Sequence, residues 1–110
     1  MGVELVVLAP REASADEWIA AAASELGGAR VFEFAGGMRE ILDPTPLAVL
    51  SWWPAREIEN ERLVVEELGE AYQAGMVWTD VCLIHGREDD GRRVVAAVAS
   101  AVGGAVWERQ

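Results

Sequence analysis

The C-terminal stretch VASAVGGAVWE, Val98–Glu108, decides the fold when set beside AAASELGGARVFE, Ala21–Glu33. Both run small apolar residues, a Ser, Gly-Gly-Ala, then a hydrophobic pair and a Glu. Shifting the first part of the chain by 76 positions, without gaps, superposes them and gives nine identities over positions 5 to 31. Arg11-Glu12 falls on Arg87-Glu88. Ala20, Ala21, Ala23 and Ser24 fall on Ala96, Ala97, Ala99 and Ser100. Gly27-Gly28-Ala29 falls on Gly103-Gly104-Ala105. The matches sit at equivalent places: strand, Arg-Glu, helix, Gly-Gly, strand. Duplication and convergent helix punctuation both lead to one expectation, an α+β fold of two β-α-β units in a ferredoxin-like arrangement.

The elements around those matches follow from periodicity and punctuation. VELVVLAP, Val3–Pro10, is an apolar, β-branched run closed by proline, hence a buried strand. Ser14 and Glu17 have capping-box spacing. Trp18, Ile19, Ala22, Ala23 and Leu26 then recur at helical spacing, and Gly27-Gly28 stops the helix because glycine takes the left-handed C-cap without a Cβ clash. ARVFEFA, Ala29–Ala35, alternates as a second strand. A short helical turn is expected around Met38–Leu42. LAVLSWW, Leu47–Trp53, is a third strand, stopped by Pro54.

The segment from Ala55 to Gly75 has Leu63, Val64, Leu68, Ala71 and Tyr72 at helical spacing with Glu on the other face, so an acidic helix is expected over 56–73, with a short strand at Val64-Val65 as the alternative. MVWTDVCLIH, Met76–His85, is a fourth strand. Val77, Thr79, Val81 and Leu83 share one of its faces, and Trp78, Asp80, Cys82 and Ile84 the other. Asp89 or Asp90 caps the last helix, Val94, Val95, Val98, Ala101 and Val102 form its stripe, and AVWERQ closes the chain as a short strand. The expectation is a single domain over 1–110 with about five strands.

Composition excludes more than it assigns. Nineteen Asp and Glu oppose nine basic residues, giving a formal net charge of −10. That field repels nucleic-acid phosphates and anionic membrane surfaces and steers basic proteins toward the chain. No apolar run approaches the roughly 18 residues of a membrane helix. MGVELV lacks both the basic start of a secretion signal and the Ser or Thr of a myristoylation site. The single cysteine, Cys82, excludes an internal disulfide, and a reducing cytoplasm fits.

All basic residues are arginine, which removes P-loop and Schiff-base chemistry that runs through lysine. The Gly pairs follow helices instead of opening them, so they are caps and not phosphate cradles. His85, the only histidine, lies near Glu88, Asp89 and Asp90, yet no second His or Cys stands at ligand spacing. Cys82 and His85 point to opposite faces of a strand, so they form no nucleophilic pair, and Cys82 is expected in the core. No cofactor or metal site is read.

Trp52-Trp53 is followed by Glu57, Glu59, Glu61, Glu66, Glu67 and Glu70. Such a Glu run is ordinarily a solvated face. Adjacent strand residues face opposite ways, so a one-sided sheet buries only one of the two tryptophans. The other, ringed by carboxylates, suits a hot spot for a basic protein surface; a sheet covered on both faces would bury both. These eight residues are the candidate partner-binding set.

The C-terminal third, VCLIHGREDDGRRVVAAVASAVGGAVWERQ, resembles the small bacterial immunity proteins that neutralise polymorphic or contact-delivered toxins. The likeness covers about a quarter of the chain: the helix Val94–Val102, Gly103-Gly104, and Val106-Trp107-Glu108. It departs from the pattern at Glu108-Arg109, where such tails often carry Asp. It implies a small, acidic, cytoplasmic, non-enzymatic protein that blocks a cognate toxin. The competing expectation is a ferredoxin-like ligand-sensing or dimerisation module, in which case the chain forms a homodimer. A small enzyme relying on carboxylates alone is the third.

Overall fold

A computed structural model describes residues 3–58, 62, 64, 66 and 75–109. Among them, two helices pack on one face of a seven-stranded antiparallel sheet. The elements are β1 (Glu4–Ala9), α1 (Ala15–Leu26), β2 (Arg30–Glu33), β3 (Arg39–Leu42), β4 (Ala48–Trp52), β5 (Arg56–Glu57), β6 (Val77–Leu83), α2 (Glu88–Ala101) and β7 (Ala105–Glu108). The strand order is β2-β3-β4-β6-β1-β7, and β5 also pairs with β6. Strands β4 and β5 lie in tandem along β6. The first faces Val81–Leu83 and the second Val77–Trp78, with Pro54 between them breaking the run.

The expected α+β class holds, with seven strands where about five were expected. One addition is β3, read from sequence as a helical turn around Met38–Leu42. Glycines at 36 and 37 and prolines at 44 and 46 confine Arg39–Leu42 to a length too short for a helix but long enough for a hairpin strand. The other is β5, at Arg56–Glu57, where the acidic helix was expected to begin. Arg62, Val64 and Glu66 do have helical backbone; of the expected 56–73 helix, residues 59–61, 63, 65 and 67–73 lie outside the described residues.

The two crossovers differ. β6-α2-β7 encloses only β1, which pairs antiparallel with both strands. β1-α1-β2 encloses β6, β4 and β3. A four-stranded ferredoxin-like sheet has one strand inside each crossover. Here the sheet has seven strands and the β1-α1-β2 crossover encloses three, so the arrangement departs from that pattern.

The repeat survives as structure. Ser14 closes the expected capping box: the Glu17 N–H donates to Ser14 Oγ at 3.1 Å and the Ser14 N–H to Glu17 Oε1 at 3.0 Å. Gly27 and Gly103 end their helices at φ +75° and +68°, where a Cβ is strained. The matched arginines each bind a carboxylate on the following helix. Arg11 holds Glu17 through both guanidinium nitrogens, at 2.7 and 2.8 Å. Arg87 donates to Asp90 Oδ2 at 3.0 and 3.1 Å. Helix α2 starts earlier than expected. Arg87 is its N-cap without a side-chain bond, and Asp89 and Asp90 lie inside the first turn, where their charge complements the helix dipole.

The core lies between helices and sheet. Leu5, Val7 and Ala9 of β1, Val81 and Leu83 of β6, and Leu50 and Trp52 of β4 meet Trp18 and Ala22 of α1 and Val94, Val95 and Val98 of α2. The face expected for Val77, Thr79, Val81 and Leu83 is the helix side, with the last three buried. A bulge inserts Val49: Ile41 pairs with Leu50 but Leu42 with Ala48, so both Val49 and Leu50 are buried in the core.

One polar hub locks this frame. Asp43, nearly buried, accepts the Thr45 N–H and hydroxyl, the Leu47 N–H at 2.9 Å, and Arg87 Nη1 at 2.8 Å. It thus ties the β3–β4 loop to the start of α2. Those donors, led by the Thr45 hydroxyl and the Leu47 N–H, hold its carboxyl well below the usual carboxylate range despite desolvation. Arg11 and then the Ser14 N–H hold Glu17 down to about 2. Both folded-state values are depressed, so their stabilisation is complete above the ordinary carboxylate range, about 4, and is lost as pH falls through the folded values. Urea midpoints are therefore expected to fall steeply from about pH 4 to about pH 2, with a shallower fall in Asp43→Asn. Equal slopes in the two proteins would remove Asp43 from this role.

Candidate functional site

The alternation that sends Val81 and Leu83 to the helices sends Trp78, Asp80 and Cys82 to the face opposite α1 and α2. Register then assembles a surface on that face. Asp80 lies opposite Val6, and Val6 opposite Trp107 of β7. Cys82 lies opposite Glu4 on one side and Ser51 on the other. The Trp53 N–H donates to the Asp80 carbonyl at 3.1 Å, which extends the β4 pairing by one residue and puts the Trp53 side chain on this face. The Arg109 N–H donates to the Glu4 carbonyl at 2.9 Å and does the same at the end of β7.

A cleft of about 280 Å³ opens there, lined by Glu4, Trp53, Asp80, Val81, Cys82 and Arg109. Asp80 is its electrostatic centre. Oδ1 accepts Trp78 Nε1–H at 2.8 Å and lies 3.5 Å from Arg109 Nη1; Oδ2 lies 3.4 Å from Arg56 Nη2. Both guanidinium groups also approach the Trp78 ring, at 5.3 and 6.0 Å from its centroid, within cation–π range. Trp107 meets the same ring edge-on at 5.8 Å. The cluster is held by aromatic, ionic and backbone ties from β5, β6 and β7 together, so it is pre-organised. It offers an indole surface, charges of both signs and a half-exposed thiol.

The predicted tryptophan pair divides as strand geometry requires. Trp52 is buried and stacks on Trp18 of α1, with ring centroids 4.5 Å apart and planes at 15°. It belongs to the core and presents nothing to a partner. Trp53 is 38% exposed at the cleft wall. Glu57 and Glu66 are exposed; Glu59, Glu61, Glu67 and Glu70 lie outside the described residues. Cys82, expected in the core, lines the cleft instead, because its parity follows Asp80 and not Val81. His85 is 84% exposed in the turn after β6, with Nδ1 3.5 Å from Glu88 Oε1. Among the described residues no three His, Cys, Asp or Glu side chains converge as a metal site, and no helix is long and apolar enough to cross a membrane.

Sequence reasoning missed Asp80, Arg56 and Arg109 as site residues. The alternation of β6 already placed Trp78 and Asp80 on one face. Arg109 joins them only because β7 pairs with β1, which no local pattern signals. No protein-family model, curated protein or solved structure matches the chain.

Proposed function

We propose that this is a non-enzymatic immunity protein that binds and blocks a cognate basic toxin domain in the cytoplasm of the producing bacterium. The observation that carries the reading is Trp53. A large indole, more than one-third exposed, stands at the wall of a pre-organised cleft in a chain of net charge −10. Aromatic anchors beside pockets are the common hot spots of protein interfaces. The acidic field, to which exposed Glu57 and Glu66 contribute, steers a basic partner toward the surface.

The test is calorimetric titration against the toxin-like product of the adjacent reading frame. Trp53→Ala is expected to weaken binding about 30-fold, the size of a hot-spot truncation, with the melting temperature nearly unchanged. Raising salt is expected to slow association more than it speeds dissociation. Undiminished affinity in Trp53→Ala, or no binding to any neighbouring gene product, would sink the proposal.

A second reading, a ferredoxin-like ligand-sensing module, draws on the β6-α2-β7 crossover around β1 and on the cleft itself. Small-molecule thermal-shift profiling separates the two. A ligand-induced rise in melting temperature that Trp53→Ala and Arg109→Ala abolish favours sensing.

A further inference from the structure

Strand β2 forms one edge of the sheet and, among the described residues, pairs only with β3. Natural edge strands are blunted by short length, charge, proline or a bulge. Arg30–Glu33 is short and carries two charges, but it has no proline or bulge. It presents Phe32 at 56% exposure, with Phe34 just beyond it at 45%. Both rings fall on the face that carries Cys82, opposite α1 and α2, since Phe32 pairs with Glu40, Glu40 with Ser51, and Ser51 with Cys82.

The backbone pattern sets which groups face outward. The Phe34 N–H donates to the Met38 carbonyl at 2.8 Å, so Phe34, Phe32 and Arg30 direct their backbone polar groups at β3. Val31 and Glu33, at the alternate positions, direct theirs away from the sheet. A second β2 related by a two-fold axis normal to the sheet meets this pattern with Phe32 on the axis. Val31 of each copy exchanges two hydrogen bonds with Glu33 of the other, four in all. Phe32 then faces its own symmetry mate in the close, non-hydrogen-bonded pair on the axis, and Arg30 faces Phe34 of the second copy, a cation–π pairing.

Charge permits this approach here. The chain carries −10, but β2 and β3 together carry Arg30, Arg39, Glu33 and Glu40, which cancel. The remaining charge is screened beyond about 8 Å at physiological salt. We infer that β2 is a self-association edge, on which a second copy of this chain extends the sheet through antiparallel β2–β2 pairing centred on Phe32. The contact is short, so the dimer is a concentration-dependent one. It uses neither Trp53 nor the cleft, and so stands apart from the toxin-binding reading; Trp53→Ala leaves it intact.

Analytical ultracentrifugation from about 1 to about 500 µM reads the association. The expected result is a shift from one chain to two across that range. Phe32→Glu, which sets two carboxylates face to face at an exposed position, is expected to stay monomeric with unchanged circular dichroism. Val106→Glu, on the opposite edge strand β7, is expected to dimerise normally. Register is tested separately by oxidative cross-linking in a Cys82→Ser background. Phe32→Cys is expected to give a disulfide-linked dimer, because close antiparallel pairs place Cα atoms about 4.5 Å apart, within disulfide reach. Glu33→Cys, not opposite itself in this register, is expected to give none. A wild-type chain that stays monomeric, a dimer lost in Val106→Glu but kept in Phe32→Glu, or cross-linking through Glu33→Cys alone would overturn the inference.

Discussion

Trp18→Ala is expected to lower folding stability by about 3–5 kcal/mol, the usual cost of truncating a buried tryptophan. Trp18 is 1% exposed and is one of the two tryptophans buried in the core. Its ring stacks on Trp52, so truncation removes an aromatic pair together with buried area and leaves a cavity between α1 and β4. A domain of this size holds about 5–15 kcal/mol in total, so the variant loses a large fraction of what keeps it folded. Urea unfolding followed by circular dichroism measures it, and Trp18→Phe is expected to lose clearly less. Trp53→Ala, at a half-exposed indole on the other side of the sheet, serves as the contrast. A Trp18→Ala loss below about 1 kcal/mol would mean that the α1–β4 contact is not where the stability resides.

The second large effect is expected at Gly104. A Cβ built there meets the Leu8 carbonyl oxygen at 2.5 Å and the Ala9 Cβ at 2.8 Å. Backbone cannot rotate out of the way as a side-chain tip can, so Gly104→Ala must push β7 from β1 at the start of their pairing, where Ala105 faces Leu8. The expected cost is about 2–3 kcal/mol, the upper end of overpacking penalties. The adjacent Gly103→Ala makes a useful comparison. There a Cβ meets nothing within 4 Å, and only the left-handed φ of +68° is strained, for about 1 kcal/mol. Equal losses at the two glycines would show that close approach to β1 is not what Gly104 provides.

Two glycines that look interchangeable in sequence therefore act by different physics, and this sets how far the chain can be read unaided. Three of the four ends of α1 and α2 were legible: the Ser14–Glu17 box and the stops at Gly27 and Gly103 are local, each decided by a few neighbouring backbone groups, whereas the N-cap of α2 fell at Arg87 and not at Asp89 or Asp90. The two faces of β6 were legible because strand parity is a property of a single strand. The extra strands were not. Whether Arg39–Leu42 becomes a turn of helix or a strand depends on β2 and β4 lying on either side to take its hydrogen bonds.

The site divides in the same way. Sequence alone determined that Trp52 and Trp53 point to opposite faces of their strand, so that a one-sided sheet would bury only one. Tertiary structure decided which: Trp18 of α1 stacks on Trp52 and claims it. Of the Glu run beside the pair, Glu57 and Glu66 are exposed, and Glu59, Glu61, Glu67 and Glu70 lie outside the described residues. Around Trp53 the described structure places Glu4, Asp80, Cys82 and Arg109, from the start of β1, from β6 and from the end of β7. Periodicity, caps and net charge are short-range or summed quantities and can be read along the chain. Which strands pair is settled only when distant segments compete to bury the same apolar face, and the composition of the cleft follows from that pairing.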